Sequence, residues 1–98
     1  MYVLDFLQLI SDVAKQTPFF FKDHDSIYSL LLPEITEIYQ QPSLLITTNT
    51  SKKSLRQWEL FVLLNQPEYR QLPVYLQING QPRAVFGFKL ADGKAWLN

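Results

Sequence analysis

The last quarter of the chain constrains the fold most. Between Leu72 and Leu97 two turn dipeptides, Asn79-Gly80 and Asp92-Gly93, separate three segments in which apolar and polar residues alternate. A period of two marks a strand buried on one face, and Asn-Gly or Asp-Gly between such segments is a hairpin signal. An antiparallel β-meander is predicted. In its first strand Leu72, Val74, Leu76 and Ile78 share a face, with Tyr75, Gln77 and Asn79 opposite. In its second, Ala84, Phe86, Phe88 and Leu90 point away from Arg83, Val85, Gly87 and Lys89.

Turn length then sets parity, because a slip of one residue exchanges the two faces of a strand. A two-residue turn at Asn79-Gly80 would set Leu76 opposite Arg83 and Val74 opposite Val85, leaving the main apolar rows on opposite faces. A three-residue loop merges them, so we expect such a loop with a bulge, Gly80 at positive φ, and Pro82 at an irregular or edge entry to the next strand. At Asp92-Gly93 a two-residue turn fits, with Leu90 opposite Ala95 and Phe88 opposite Leu97. Trp96 then turns outward, opposite Lys89, whereas a three-residue loop would bury it beside Phe88 or Leu90; the sequence leaves both open. With the indole outward, Tyr75, Arg83, Val85, Lys89 and Trp96 form an outer face of aromatic, aliphatic and cationic side chains, a combination suited to holding a partner.

Upstream of the meander the period changes. Val3, Phe6, Leu7, Ile10, Val13 and Ala14 recur at helical spacing against Asp5, Gln8, Asp12 and Lys15, predicting a helix over Tyr2 to Gln16 that stops before Thr17-Pro18. Tyr2, Leu4 and Leu9 widen its stripe, which calls for burial in the monomer or a shared dimer face. Phe19-Phe20-Phe21 reads as a short extended piece entering the polar turn Lys22-Asp23-His24-Asp25. Ile27, Leu30, Leu31, Ile35 and Ile38 then fit one helical face interrupted by Pro33, giving two short helices or one kinked helix, with a strand over Ser26 to Leu32 as the competing assignment. Ser43 to Thr48 is β-branched and apolar enough for a strand. Thr50 or Ser51 can cap a helix over Lys52 to Leu64, which places Leu55, Trp58, Phe61 and Val62 on one face and ends at Asn65 and Pro67. The expected architecture is a single α+β domain over residues 1–98: a mainly antiparallel sheet with a C-terminal three-stranded meander and helices packed on one face.

Composition limits the function classes. Ninety-eight residues with 47% hydrophobic and 14% aromatic content suit one globular domain rather than a disordered chain. Nine basic residues balance nine acidic ones, so any affinity for nucleic acid or anionic lipid would need a local patch. Cysteine is absent, which removes disulfides, thiolate nucleophiles and cysteine-ligated zinc, and is compatible with the cytoplasm. Met1 to Ile10 carries Asp5 and lacks the basic region of a signal peptide, and no apolar run approaches the roughly 20 residues that span a bilayer. We therefore expect a cytoplasmic protein without a membrane association.

Candidate chemistry is sparse. His24, the only histidine, sits between Asp23 and Asp25, but adjacent residues of an extended segment diverge, and no activated nucleophile such as Gly-x-Ser-x-Gly accompanies it. A solvated polar turn with a helix cap is the ordinary reading of this segment. Thr50, Ser51, Lys52 and Lys53 join a strand to a helix start, where hydroxyls, free N–H groups and two ammonium groups suit phosphate, although the glycines of a phosphate-binding loop are missing. Lys52, Lys53, Arg56, Arg70 and Arg83 with Trp58, Tyr69, Tyr75 and Trp96 supply the ingredients for single-stranded nucleic acid, with Trp58 more suited to the core. Glu34 and Glu37 read as a solvated face. No metal or cofactor is implied.

Seven Phe, five Tyr and two Trp exceed what one small core readily encloses, and tyrosine hydroxyls need water or a partner, so some aromatics should reach the surface. The expectation is a small non-catalytic protein-binding module of the adaptor, immunity or assembly type. It would hold a protein partner, or a second copy of itself as a homodimer, on the outer sheet face or edge. The alternative is a nucleic-acid or phosphate ligand at the start of the Lys52 helix.

Overall fold

Four two-residue turns set the strand registers in the computed structural model, which describes all of residues 1–98. His24-Asp25 joins β1 (Phe19–Asp23) to β2 (Ser26–Ile38), and Tyr39-Gln40 joins β2 to β3 (Gln41–Asn49). Helix α2 (Gln57–Leu64) and a 3-10 turn (Pro67–Tyr69) follow. Asn79-Gly80 joins β4 (Val74–Ile78) to β5 (Gln81–Ala84), and Asp92-Gly93 joins β6 (Phe88–Ala91) to β7 (Lys94–Leu97). Three of these turns have positive φ at both central residues, the type I′ signature that matches strand twist; His24 alone is positive in its turn, as in type II′.

At Asp92-Gly93 the pairing is as expected: Leu90 with Ala95, Phe88 with Leu97, and Lys89 with Trp96. The Asn79-Gly80 expectation is corrected, since Ile78 pairs with Gln81 and Leu76 with Arg83, leaving no third loop residue and no bulge. The odd loop followed from treating residues 81–91 as one strand. In fact β5 ends at Ala84 and β6 begins at Phe88, so the two halves need not share parity. Val85 turns into the core at 1% exposure, and Phe86 turns to solvent at 81%.

The sheet order is β5-β4-β3-β2-β1-β7-β6, so the two C-terminal hairpins occupy opposite edges rather than one continuous run. Neighbours are antiparallel except for β1 with β7 and β3 with β4. The class is α+β with a mixed, mainly antiparallel sheet. Its edges cannot lie far apart. A flat sheet would separate β5 from β6 by six strand spacings, about 29 Å, yet only Val85, Phe86 and Gly87 connect them, a reach of at most about 14 Å. The sheet must therefore roll up. Two contacts bridge strands that are not neighbours in the sheet: the Tyr28 hydroxyl donates to Asn79 Oδ1 at 2.9 Å, and the Arg83 guanidinium approaches Asp23 at 3.4 Å.

Helical spacing at Ile27 to Ile38 misled, because the segment is one 13-residue strand that extends the competing assignment over Ser26 to Leu32. Its register slips between Leu30 and Pro33, where Leu31 and Leu32 together face Thr47. Beyond Ser29 the strand has left β1 and pairs only with β3, so Pro33 sits on an edge, where a missing N–H removes no ladder bond. Ser54 and Leu55 take the vacated place. Leu55 donates its N–H to Leu30 and accepts from Phe19, while Ser54 Oγ accepts from Leu30 N–H at 2.7 Å and donates to the Phe19 carbonyl.

Helix α1 (Val3–Ile10) is shorter than its apolar pattern, because Ser11 bonds back to the Gln8 carbonyl through both N–H and Oγ and tightens the last turn. Its first free N–H groups, those of Val3 and Leu4, donate to the carbonyls of Leu72 and Arg70. Helix α2 begins at Gln57 instead of Lys52, with Arg56 as cap and Glu59 accepting the Arg56 N–H at 3.0 Å. Its buried residues are Gln57, Leu60 and Leu64, so the predicted face is corrected: Trp58 is 43% exposed and Val62 faces solvent. Both helices pack on the concave side of the sheet. One cluster of 19 buried residues joins Phe6, Ile10, Leu60 and Leu64 to Phe19, Leu30, Ile46, Leu76, Val85 and Leu97.

Candidate binding cleft on the outer sheet face

Cross-strand register aligns one row on the convex face: Asn49, Ser29, Phe20, Trp96 and Lys89, from β3 to β6. Phe20 is buried even on this side. The half-buried Trp96 ring covers it, with centroids 5.7 Å apart and planes 36° from parallel, and its Nε1 donates to the Ala91 carbonyl at 3.3 Å. The indole is thereby pinned between its own hairpin and β1. Lys94, two residues earlier on the same face, holds its ammonium 5.7 Å from the Phe20 centroid and 5.9 Å from that of Trp96, within cation–π range of both.

The chain after β3 forms the opposite wall. Ser29, fully buried, donates its hydroxyl to the Ser51 carbonyl and draws residues 50–53 over the sheet face. Between this wall and Trp96 lies an open cleft of about 590 Å³, lined by Phe20, Trp96, Ile27, Lys94, Lys52 and Asp25, together with the hydroxyls of Ser26, Thr50 and Ser51. Two lysines against one carboxylate leave it cationic, and exposed Lys89 extends the positive charge past Trp96. Both ion pairs of the molecule involve Asp23, so neither Lys94 nor Lys52 has a carboxylate within 4.0 Å.

The fold brings together only part of the predicted outer face. Trp96 and Lys89 pair directly, with Trp96 turned out as the tight turn requires. Tyr75 lies on the same side of the sheet but four strands away, in an edge-on contact with exposed Tyr39 at 6.1 Å. Val85 and Arg83 do not belong to that face. Val85 is core, and Arg83 lies on the concave side, still solvated, with its guanidinium 5.5 Å from the Phe21 centroid. Their misassignment follows from the turn parity corrected above.

The phosphate alternative changes its setting in the same way. Thr50, Ser51, Lys52 and Lys53 lie in an extended connection before α2, so they face no helix N-terminus. Thr50, Ser51 and Lys52 line the Trp96 cleft, whereas Lys53 lines a neighbouring groove with Leu31, Leu32 and Glu59. His24 stands at a turn tip with its side chain 93% exposed, 3.9 Å from Asp23, and no three His, Asp or Glu side chains converge anywhere in the chain.

Sequence reasoning missed Phe20, Ile27 and Lys94. Lys94 was accessible to it, since a tight Asp92-Gly93 turn puts residues 94 and 96 on one face. Phe20 was not, because its place beside Trp96 depends on the parallel pairing of β1 with β7. No helix is long and apolar enough to cross a membrane. Comparison with protein-family models, curated proteins and solved structures gave no match.

Proposed function

We propose that the protein is a small non-catalytic binding module that holds a protein partner on its convex sheet face at the Trp96 cleft. The observation that carries this reading is the half-buried Trp96 ring over buried Phe20, under the Lys94 ammonium, at the mouth of this cleft. Aromatic residues next to a cation, half-buried and backed by core, are the usual anchors of protein interfaces. Ile27, 45% exposed on the cleft wall, adds apolar area. Cytoplasmic residence agrees with the absence of cysteine.

The test is affinity capture from the native host with the whole chain. Ile27→Ser and Lys94→Glu should each lose the bound partner while melting within about 3 °C of the parent. Tyr75→Ser, on the far wing, should keep it. Retention by the first two variants, or loss through the third, would remove the assignment to this face.

The gathering of Thr50, Ser51 and Lys52 in the same cleft favours a phosphate-bearing ligand as the second reading. It predicts binding that weakens steeply with salt and falls in Lys52→Gln. Light scattering on the parent chain tests a second copy as the partner; a monomer at all concentrations would exclude it.

A further inference from the structure

The cleft has a chemical signature beyond its shape. It combines a floor of Phe20, a wall of Ile27 and Trp96, and two ammonium groups with no carboxylate within 4.0 Å. We infer that the Trp96 cleft takes an acidic peptide segment, with one apolar side chain seated between Ile27 and the Phe20–Trp96 shelf and carboxylates of that segment meeting Lys94 and Lys52. This rests on the protein-binding reading and adds the chemistry of the partner.

Charge complementarity is the first support. The whole chain is neutral, yet the cleft and its rim carry Lys94, Lys52 and Lys89 against Asp25. Exposed lysines without local partners favour encounter with an acidic surface.

The position of Lys94 is the second, and it separates peptide from nucleic acid. A single-stranded base would bind by stacking on a free aromatic face. Here Lys94 lies over both Phe20 and Trp96, so stacking would first have to displace an ammonium from two rings. A carboxylate needs no such displacement: it meets the ammonium from its solvent side and leaves the cation–π contacts in place.

The test uses the full chain, labelled with ¹⁵N, and four probes in amide and indole correlation spectra. The first is an acetylated, amidated hexapeptide of sequence Glu-Glu-Phe-Glu-Glu-Leu, and the others are its glutamine and lysine counterparts and an oligothymidylate. Trp58→Phe assigns the Trp96 indole signal. The acidic peptide should shift that signal and the amides of residues 25–27, 50–52 and 94–96. Its affinity should fall with salt and weaken about two- to fivefold in each of Lys94→Gln and Lys52→Gln, the range of single exposed charge pairs.

Equal binding of the glutamine peptide would overturn the acidic assignment and leave the protein-binding face standing. Preference for the lysine peptide would overturn it as well. Oligothymidylate shifting the same signals while the acidic peptide does not would defeat both this inference and the protein-binding reading. Absence of shifts with every probe would reject the inference, and the capture experiment would then decide the face independently.

Discussion

The Arg83 guanidinium lies 3.4 Å from the Asp23 carboxylate, although their strands stand four places apart in the sheet. The same guanidinium rests 5.5 Å from the Phe21 ring centroid. Rolling the sheet brings β5 over the concave side of β1, and the pair sits where the roll nearly closes. Both side chains are partly solvated, which limits what the ion pair contributes.

Arg83→Ala removes the ion pair, the contact with Phe21 and the packing of its aliphatic stem, and should cost about 1 kcal/mol. Asp23→Asn removes only the charge and should cost less than that. Urea unfolding of the two variants and their combination measures this, and a non-additive double variant is the expected sign of direct coupling.

Turn parity can be read from neighbouring residues. Val85→Ala should destabilise by about 1–3 kcal/mol through the cavity it leaves, and Val85→Asp should abolish cooperative folding by burying a charge. Phe86→Ser, one residue on, should change stability by no more than about 0.5 kcal/mol. Thermal melts of the three would show the opposite order if the Asn79-Gly80 loop held three residues.

Gly80 and Gly93 occupy the left-handed region at φ of +76° and +73°. Alanine at either should cost about 1 kcal/mol, because a Cβ crowds the following carbonyl there. Gly87 has no positive φ, and an added Cβ would meet only Asn98 Oδ1 at an ordinary 3.5 Å, so Gly87→Ala should be close to neutral. Equilibrium denaturation of the three variants decides it.

Gln57 is buried and donates its side-chain amide to the Ile10 carbonyl at 3.1 Å, tying the end of α1 to the start of α2. Gln57→Leu keeps the bulk but removes one of that carbonyl's two donors, the Val13 N–H remaining, and should cost about 1 kcal/mol. Hydrogen exchange should then quicken first at Ser11 and Val13, whose amides close the last turn of α1.

Legibility in the sequence followed the range of the signal. The Asp92-Gly93 hairpin, the Phe19 strand and the strand through Ser43 to Thr48 rest on residues a few positions apart, and all three form, the hairpin's register choosing the outward side for Trp96 that the sequence left open. Helix α2 shows where local pattern runs out. Its residues are apolar all round, so periodicity could not choose between Trp58 and Gln57 as the buried position. Gln57 is held inward by the Ile10 carbonyl, which lies on another element and accepts its side-chain amide. Thr50 and Ser51 read as a helix cap, but the chain beyond them is held where β1 and β2 splay apart, Ser54 Oγ bonding the Leu30 N–H and the Phe19 carbonyl, and α2 starts only at Gln57.

The sequence by itself determined the tight turn and strand faces of the Asp92-Gly93 hairpin and the positive φ at Gly80, because period-two alternation and positive-φ propensity act within a few residues. It also determined that some aromatic side chains must be exposed. Tertiary structure decided the rest. Ending β5 at Ala84 let the Asn79-Gly80 turn stay tight, which put Arg83 on the concave side and Val85 in the core, and pairing β1 with β7 set Phe20 beneath Trp96. The hydroxyl of Ser29 drew Thr50, Ser51 and Lys52 to the same place, so two separate candidate sites became one cleft. Strand order minimises the exposed area of whole apolar faces, and that sum runs over residues distant in sequence that no local pattern compares.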